Sequence, residues 1–203
     1  MGTAPAHYGS VAAEIAVCAK TAGLVDRSAM CLLAISGPEH LLDHVLDTAL
    51  PNGAPAPGQA VCIAATWCCR TTARRAIVAG APSAVARWRQ VERRAASSAG
   101  LDVAVELLAQ ASALTLVGPR ASRIAGAAGL PADLRILEVA DATLAGAPLT
   151  LIREDGDRYL LLFERGCPPE AYQALWEAGR EHGLAPVGNE ALELLHAAHR
   201  PIG

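Results

Sequence analysis

The chain contains the same local pattern twice, about eighty residues apart. Residues 32–39 (LLAISGPE) and residues 113–120 (ALTLVGPR) each run from an apolar stretch through Gly-Pro. Glycine permits the turn, and proline suits a first helical position because its missing N–H would be unpaired there anyway. Each copy therefore predicts a strand followed by a helix. Internal repetition of this kind constrains architecture before any single motif constrains chemistry.

Apolar spacing extends the repeat along most of the chain. In the first copy it predicts a helix at 10–22, a turn at 23–26, a strand at 30–36, a hairpin of 60–66 and 76–79, and a helix at 82–99. In the second copy it predicts a strand at 114–117, a helix at 120–128, a strand or linker at 136–139, a hairpin of 147–153 and 159–163, and helices at 170–181 and 189–199.

Each copy is thus strand, Gly-Pro, helix, hairpin, helix. This order predicts an α+β fold in which helices pack on antiparallel sheets. We expect a single core made of two pseudo-repeats, about 24–100 and 112–203, related by an approximate two-fold axis. The cleft between the repeats is then the expected place for a small-molecule ligand.

Composition excludes several classes of function. The net charge of −3 gives no general attraction to nucleic acid. No apolar run approaches the roughly 18 residues that span a membrane, and the first ten residues do not form a signal peptide. We therefore expect a cytoplasmic protein without nucleic-acid or membrane partners. The six cysteines show no paired C-x-x-C spacing, so thiols are expected rather than a zinc site.

Arginine is concentrated in one region, where seven arginines and one acid lie between Arg70 and Arg94. These side chains are either a solvated face or an anion-binding patch. The helix predicted at 82–99 favours a solvated face for its own arginines. For Arg70, Arg74 and Arg75, which flank a strand, the two interpretations remain equally open.

Four motifs in order resemble one known family. Residues 23–30 (GLVDRSAM), 35–38 (ISGP), 116–121 (LVGPRA) and 188–193 (GNEALE) resemble its G-L-F-D-x-S-H-M, V-S-G-P, L-Q-G-P-x-A and G-x-x-A-L-E. The chain is similar to the folate-binding part of the glycine cleavage system T protein (aminomethyltransferase) family. The resemblance implies an aminomethyltransferase-like folate-binding fold and tetrahydrofolate as cofactor. That family continues into a C-terminal barrel domain, which we do not expect in this chain.

The chain departs from the family at the ligand positions. The family's G-G-x-x-D-D, whose acid contacts the pterin and assists one-carbon transfer, corresponds to residues 69–75 (CRTTARR). Arg74 and Arg75 therefore replace acids, which removes the carboxylate that would stabilise a cationic transition state. Glu154 remains at the acidic position of the family's Y-T-G-E-x-G, and His196 replaces the arginine of its L-R-x-E-x-G.

The resemblance yields a set of candidate site residues. Glu154 and His196 are the catalytic candidates, with His196 suited to act as a general acid or base near neutral pH. The substrate- or cofactor-binding candidates are Met30, Trp67, Cys69, Arg74 and Arg75, the arginines being suited to a carboxylate. Each candidate also has a structural interpretation as a core, turn or surface residue. No metal site is predicted, because His196 and His199 lack a third ligand.

Three functions are compatible with these residues. The first is a small enzyme with a rewritten pocket that acts on a small molecule in the cleft without the usual folate chemistry. The second is a tetrahydrofolate-dependent one-carbon transferase. The third is a non-catalytic subunit of a larger complex, in which the arginines face a partner protein. The substrate and the choice between a partner and a homo-oligomer stay open.

Overall fold

Two β-sheets and six helices make up the part of the chain that the computed structural model describes, residues 5–88, 90 and 103–198. The helices are α1 (Val11–Lys20), α2 (Glu39–Ala49), α3 (described over 82–88), α4 (Ala121–Ala127), α5 (Pro169–Gly179) and α6 (Asn189–Ala198), and a 3-10 turn covers Arg180–His182. The strands are β1 (Ala22–Asp26), β2 (Cys31–Ser36), β3 (Gln59–Ile63), β4 (Thr66–Thr72), β5 (Arg75–Gly80), β6 (Ala104–Leu107), β7 (Ser112–Val117), β8 (Val139–Leu144), β9 (Ala147–Asp155), β10 (Arg158–Phe163) and β11 (Leu184–Val187).

The two repeats exchange their first strands. One sheet has the order β11-β1-β7-β10-β9-β8, and the other has the order β3-β4-β5-β2-β6. Strand β1 begins the first repeat but pairs antiparallel with β7 of the second, while β6, which comes just before the second repeat, pairs with β2 of the first. Without the parallel strand β11, the larger sheet has the order β1-β7-β10-β9-β8. This order corresponds strand for strand to β6-β2-β5-β4-β3 of the smaller sheet. The predicted α+β class with antiparallel sheets is confirmed.

The hairpins of the two repeats match in detail. Two-residue loops join β3 to β4 and β8 to β9, and all four loop residues have positive φ: 48° and 61° at Ala64 and Ala65, 47° and 82° at Ala145 and Gly146. Such loops suit the right-handed twist of the flanking strands. The strand pairing also has a register shift at the equivalent place in each repeat. The shift lies beside Arg70 in the pairing of β4 with β5, and beside Arg158 in the pairing of β9 with β10. Equivalent irregularities in both copies support a shared local design.

The core consists of four apolar layers. Helices α4 and α5 pack on the outer face of the six-stranded sheet, and α2 and α3 pack on the outer face of the five-stranded sheet. The inner faces of the two sheets meet through a third layer. Beyond it, α1 and α6 cover the remaining inner surface of β1 and β7. No described helix is long and apolar enough to cross a membrane.

Several predicted elements are corrected by the structure. The turn predicted at 23–26 is part of β1, and the stretch at 67–75 between the two predicted hairpin strands contains all of β4 except Thr66. The strand or linker predicted at 136–139 gives way to β8, which begins at Val139. Part of the helix predicted at 82–99 lies outside the described residues, and so does His199. Among the described residues, an apolar layer lies between the two sheets, and the cleft expected between the repeats stays a prediction.

Gly118 of the second Gly-Pro motif allows one close backbone contact. It has φ of +119°, and a Cβ there would lie 2.7 Å from the carbonyl oxygens of both Cys18 and Thr21. Gly118→Ala should therefore lower the free energy of unfolding by more than about 1 kcal/mol. Gly126→Ala in α4 is the matched control, since its nearest contact would be an ordinary 3.7 Å. Urea unfolding should show that variant unchanged or stabilised by about 0.5–1 kcal/mol; equal losses in both variants would contradict this explanation.

Candidate functional site

A group of charged side chains lies on the inner face of the six-stranded sheet, between the layer that joins the sheets and the layer under α6. Strand alternation places Glu154 on the same face as Ile152, and Arg158 on the same face as Leu160. His196 reaches this region from α6. We call Glu154, Arg158, His196 and Arg27 the Glu154 cluster.

Glu154 is the most unusual member of the cluster. Its side chain is 3% exposed, and neither carboxylate oxygen has a hydrogen-bond partner among the described residues. Its Oε2 lies 3.7 Å from Arg158 Nε and 3.9 Å from His196 Nε2, both beyond ordinary hydrogen-bond length. Buried polar groups are normally paired, because leaving one unpaired costs free energy. The Glu154 carboxylate is therefore a buried acceptor without a hydrogen bond from any described residue.

The two arginines of the cluster are also incompletely paired. The Nε of Arg158 is buried without a hydrogen bond among the described residues, and its Nη2 lies 3.4 Å from Asp155 Oδ2. Arg27 Nη1 donates a long, 3.4 Å hydrogen bond to Thr115. Burial lowers the pKa of Arg27, while Glu154 and Glu193 act in the opposite direction. The cluster thus places cationic donors beside a buried acceptor.

Apolar candidates from the sequence lie next to this polar group. Met30 and Trp67 are each 7% exposed and Cys69 is fully buried, and all three belong to the layer between the sheets. Glu154 is close enough to Cys69 to contribute to raising the pKa of its thiol. The arrangement has a polar end at Glu154 and an apolar side at Cys69, which resembles the lining of a small-molecule site.

The hairpin arginines have different environments. Arg70 is 1% exposed and donates to the carbonyl oxygens of Thr72 and Ala73 and to Asp43, so it holds its own hairpin turn. Arg74 is exposed at the tip of that hairpin. Arg75 Nη2 donates to Glu164 Oε2 at 2.7 Å, which links the two repeats.

The structure therefore brings some predicted site residues together. Glu154 and His196 are neighbours, and Met30, Trp67 and Cys69 share one layer. Arg74 and Arg75 make their described contacts elsewhere. The binding and catalytic roles of all seven residues remain predictions.

Sequence reasoning missed Arg27 and Arg158. Arg158 could have been found by its alternation with Leu160 and Leu162, which places a charge on an inward face. Arg27 lies at the variable position of the quoted 23–30 motif, so the resemblance gave it no role.

The adjacent cysteines provide a test of the site's chemistry. Burial raises the pKa of Cys68 to about 12 and that of Cys69 well above its ordinary value. Because the thiolate is the reactive species, alkylation of the native protein at pH 8 should leave both unmodified while exposed Cys62 reacts. Tandem mass spectrometry locates the adducts, and unfolding in denaturant should expose all three thiols. Rapid native modification of Cys69 would contradict this expectation and favour a reactive thiol.

One cavity lies away from the Glu154 cluster. It is an open groove of about 810 Å³ along β8 and β9, and its polar lining includes Asp141, Thr143, Glu164 and Arg165. The described residues hold no group of three or more His, Cys, Asp or Glu side chains arranged for a metal ion. The cluster is therefore distinguished by its unpaired buried groups and not by the size of a cavity.

Comparison with known sequences agrees with the motifs and the fold. The profile of the GCVT N-terminal domain matches residues 3–199, nearly the whole chain. The chain belongs to the GCVT N-terminal domain family. The resemblance drawn from the four motifs is thereby confirmed. No curated protein sequence matches the chain significantly.

Solved structures share the fold of this GCVT-type chain. The glycine cleavage system aminomethyltransferase T from Bartonella henselae matches with a TM-score of 0.73 and 21% identity, over 93% of this chain and 54% of that one. The chain thus spans about half the length of that protein. A chain of the heterotetrameric sarcosine oxidase from Corynebacterium sp. U-96 matches with a TM-score of 0.60 and 17% identity, over 87% of this chain and 94% of that one.

Proposed function

We propose that this GCVT-type chain binds a small heterocyclic molecule at the Glu154 cluster and has lost the family's transfer chemistry. The unpaired, buried carboxylate of Glu154 is the observation that supports binding. A carboxylate accepts two parallel N–H donors in a bidentate arrangement. The ligand edge that satisfies both oxygens therefore carries two neighbouring N–H groups.

The pterin end of a folate fits this requirement. Its amino group and the adjacent ring N–H form a paired donor edge, and its rings would contact the apolar side of the site near Cys69. When bound, tetrahydrofolate would itself be the carrier of the one-carbon group. In this chain Glu154 would hold the donor edge, while Met30 and Trp67 would exclude water from the rings.

Loss of transfer is supported by the hairpin at 70–75. The resemblance places the family's acid pair at Arg74 and Arg75, and their described surroundings lie outside the Glu154 cluster. A cationic iminium-type transition state has no carboxylate from this hairpin to stabilise it. Binding without transfer is therefore the function that these residues favour.

Access to Glu154 requires a movement of α6. The His196 imidazole lies 3.9 Å from Glu154 Oε2 and is itself 38% exposed, so it stands between the carboxylate and solvent. A ligand that pairs with Glu154 would displace it. Opening at the C-terminal end of a helix is a low-cost motion compared with opening a sheet.

Calorimetry with tetrahydrofolate and 5-formyltetrahydrofolate tests the proposal. We expect the wild type to bind with a Kd on the order of micromolar. Glu154→Gln should weaken binding about ten- to a hundredfold, because it removes a charge-assisted pair of acceptors. Glu177→Gln, which changes an exposed acid on α5, is the control and should bind like the wild type. Absence of binding by the wild type, or equal binding by Glu154→Gln, would contradict the proposal.

A second candidate function is that of a subunit in a larger enzyme. It is supported by the sarcosine oxidase match, which spans 94% of a chain from a heterotetramer. A chain with this fold can thus be one component of an assembly, and we propose that this chain could serve a similar purpose. Purification at native abundance should then yield a stoichiometric partner. Turnover of a substrate by the isolated monomer would contradict this role.

A further inference from the structure

We infer that the exposed side of α5 is a surface on which two copies of this chain pair, with their α5 helices antiparallel about a two-fold axis near Leu175. The inference goes beyond the function proposed for Glu154 and does not depend on it. The surface, the α5 face, includes the start of the 3-10 turn that continues α5 and consists of Glu170, Tyr172, Gln173, Trp176, Glu177 and Arg180.

Helix α5 has a buried side and a side that carries two neighbouring aromatic rings. Ala171 and Leu175 are buried in the apolar layer outside the six-stranded sheet. On the other side Tyr172 is 37% exposed, and its ring contacts that of the partly exposed Trp176 edge to face, with 6.1 Å between the ring centroids. Only 3% of the residues are aromatic, so this pair is a local concentration of them. Tyr and Trp are enriched in the cores of protein interfaces.

A depression lies beside the rings on the same face. Its volume is about 310 Å³, and it is lined by Gln173, Trp176, Glu177, Arg180 and Leu184. Tyr172 comes before this depression, about two helical turns from Arg180. One helix thus carries both a projecting ring and a hollow next to it. Two copies that pair antiparallel each place Tyr172 over the hollow of the other, which makes the contact self-complementary.

The charges of the α5 face select the same arrangement. Glu170 and Arg180 lie five residues on either side of Leu175, about 15 Å apart along the helix, too far to pair within one chain. Neither has an ion-pair partner among the described residues. An antiparallel pair centred at Leu175 places Glu170 of each copy opposite Arg180 of the other. A parallel pair places like charges together, which is unfavourable.

The same two-fold axis also brings the central polar residues together. Gln173 and Glu177 lie two residues on either side of Leu175, and within one chain Gln173 Nε2 donates to Glu177 Oε1 at 2.8 Å. Across the axis the same donor and acceptor face each other again. Tyr172 of the second copy reaches the ring of Trp176 and the guanidinium of Arg180, two contacts that favour an aromatic side chain.

The expected dimer is weak and leaves the Glu154 cluster uncovered. One helix from each copy buries less than the roughly 1,200 Å² of a standard stable interface. We therefore expect a Kd on the order of 10 µM. Helix α5 packs on the outer face of the six-stranded sheet, whereas Glu154 lies on its inner face. Failure of tetrahydrofolate binding would leave the dimer standing, and a monomeric protein would leave the binding proposal standing.

Sedimentation equilibrium of the full chain between about 1 and 300 µM tests the pairing. The wild type should show a reversible monomer–dimer equilibrium. Glu170→Arg alone and Arg180→Glu alone should each weaken it about tenfold or more, because like charges then face each other. An equimolar mixture of these two variants should dimerise again, since one supplies only bases and the other only acids at the two contacts. Association of the mixture also shows that both variants fold.

Two further variants separate the α5 face from general association. Tyr172→Ala should weaken the dimer about tenfold, because it removes the projecting ring. Leu194→Ala is the matched control on α6, where Leu194 is 51% exposed, and should dimerise like the wild type. A wild type that stays monomeric throughout, a dimer unaffected by either charge reversal or by Tyr172→Ala, or a mixture that stays monomeric would each overturn the inference.

Discussion

Replacing Glu154 alone with leucine should lower the free energy of unfolding by about 3–5 kcal/mol, because it leaves Arg158 buried without its nearest buried counter-charge. Glu154 and Arg158 are 3% and 6% exposed, and the gap of 3.7 Å between them gives no hydrogen bond. The pair therefore combines a high desolvation cost with a weak attraction. The double variant Glu154→Leu/Arg158→Met should lie within about 1 kcal/mol of the wild type or be more stable.

Urea unfolding of the two variants measures this difference. Asp155→Asn is the control, since Asp155 also contacts Arg158 but its side chain is 44% exposed. Asp155→Asn should lower the free energy of unfolding by less than about 1 kcal/mol, as expected for an exposed ion pair. A double variant less stable than Glu154→Leu would show that the cluster stabilises the fold. The interpretation of Glu154 as a group kept for binding would then lose its energetic support.

Arg70→Met should lower the free energy of unfolding by about 2–4 kcal/mol, because a fully buried guanidinium holds the turn between β4 and β5. Its Nε donates to Thr72 O at 2.8 Å, its Nη1 donates to Asp43 Oδ1 at 2.6 Å, and its Nη2 donates to Ala73 O. Methionine retains much of the volume but none of these donors. Arg70→Lys should recover less than half of the loss, since an ammonium cannot reproduce the planar fork.

Arg74→Met is the matched control for Arg70. Its side chain is exposed at the tip of the same hairpin, so the change should stay within about 0.5 kcal/mol. Thermal and urea unfolding should both show that Arg70→Met is less stable than Arg74→Met. Equal effects at both positions would contradict the structural role of Arg70 and reopen the anion-binding interpretation of this region.

The second repeat contains an equivalent arginine. Arg153 Nε donates to Asp155 O, two residues ahead, and its Nη2 donates to Gly156 O, three residues ahead, as Arg70 does in the first repeat. Arg70 and Arg153 also hold the same position beside the shifted register of their hairpins. The arginine before the hairpin turn is thus explained by turn structure in both copies.

The sequence predicts the fold where local chemistry decides it. The strands before both Gly-Pro motifs and the helices after them were predicted because glycine, proline and apolar spacing act within a few residues. Strand β1 was interpreted as a turn because it is short and contains Gly23 and Asp26. Its conformation depends on pairing with β7 and β11, far away in sequence. Such pairing, and hence the strand exchange, is not visible in local composition.

The loop at Ala64 and Ala65 concealed another hairpin. Two-residue loops with positive φ usually contain glycine, asparagine or aspartate, and two alanines give no such signal. The predicted strand therefore ran through the turn, and β4 was assigned to a polar connection. The buried position of Arg70 is hidden for the same reason, because the sequence pattern places Arg70 beside a strand and not within one.

The candidate site was partly predictable for a different reason. Glu154 and His196 were selected through motif positions, and the fold brings them within 3.9 Å although they are 42 residues apart in sequence. Arg27 and Arg158 join them only through the packing of β1, β10 and α6 around one sheet face. Ligand geometry follows from that packing and not from spacing along the chain.

A crystal structure of the protein with tetrahydrofolate tests the central claim most directly. We expect the pterin at the Glu154 cluster, with both carboxylate oxygens accepting N–H groups at about 2.7–2.9 Å and His196 displaced from its present position. A ligand bound instead in the groove along β8 and β9, near Asp141 and Glu164, with Glu154 still unpaired, would contradict the account.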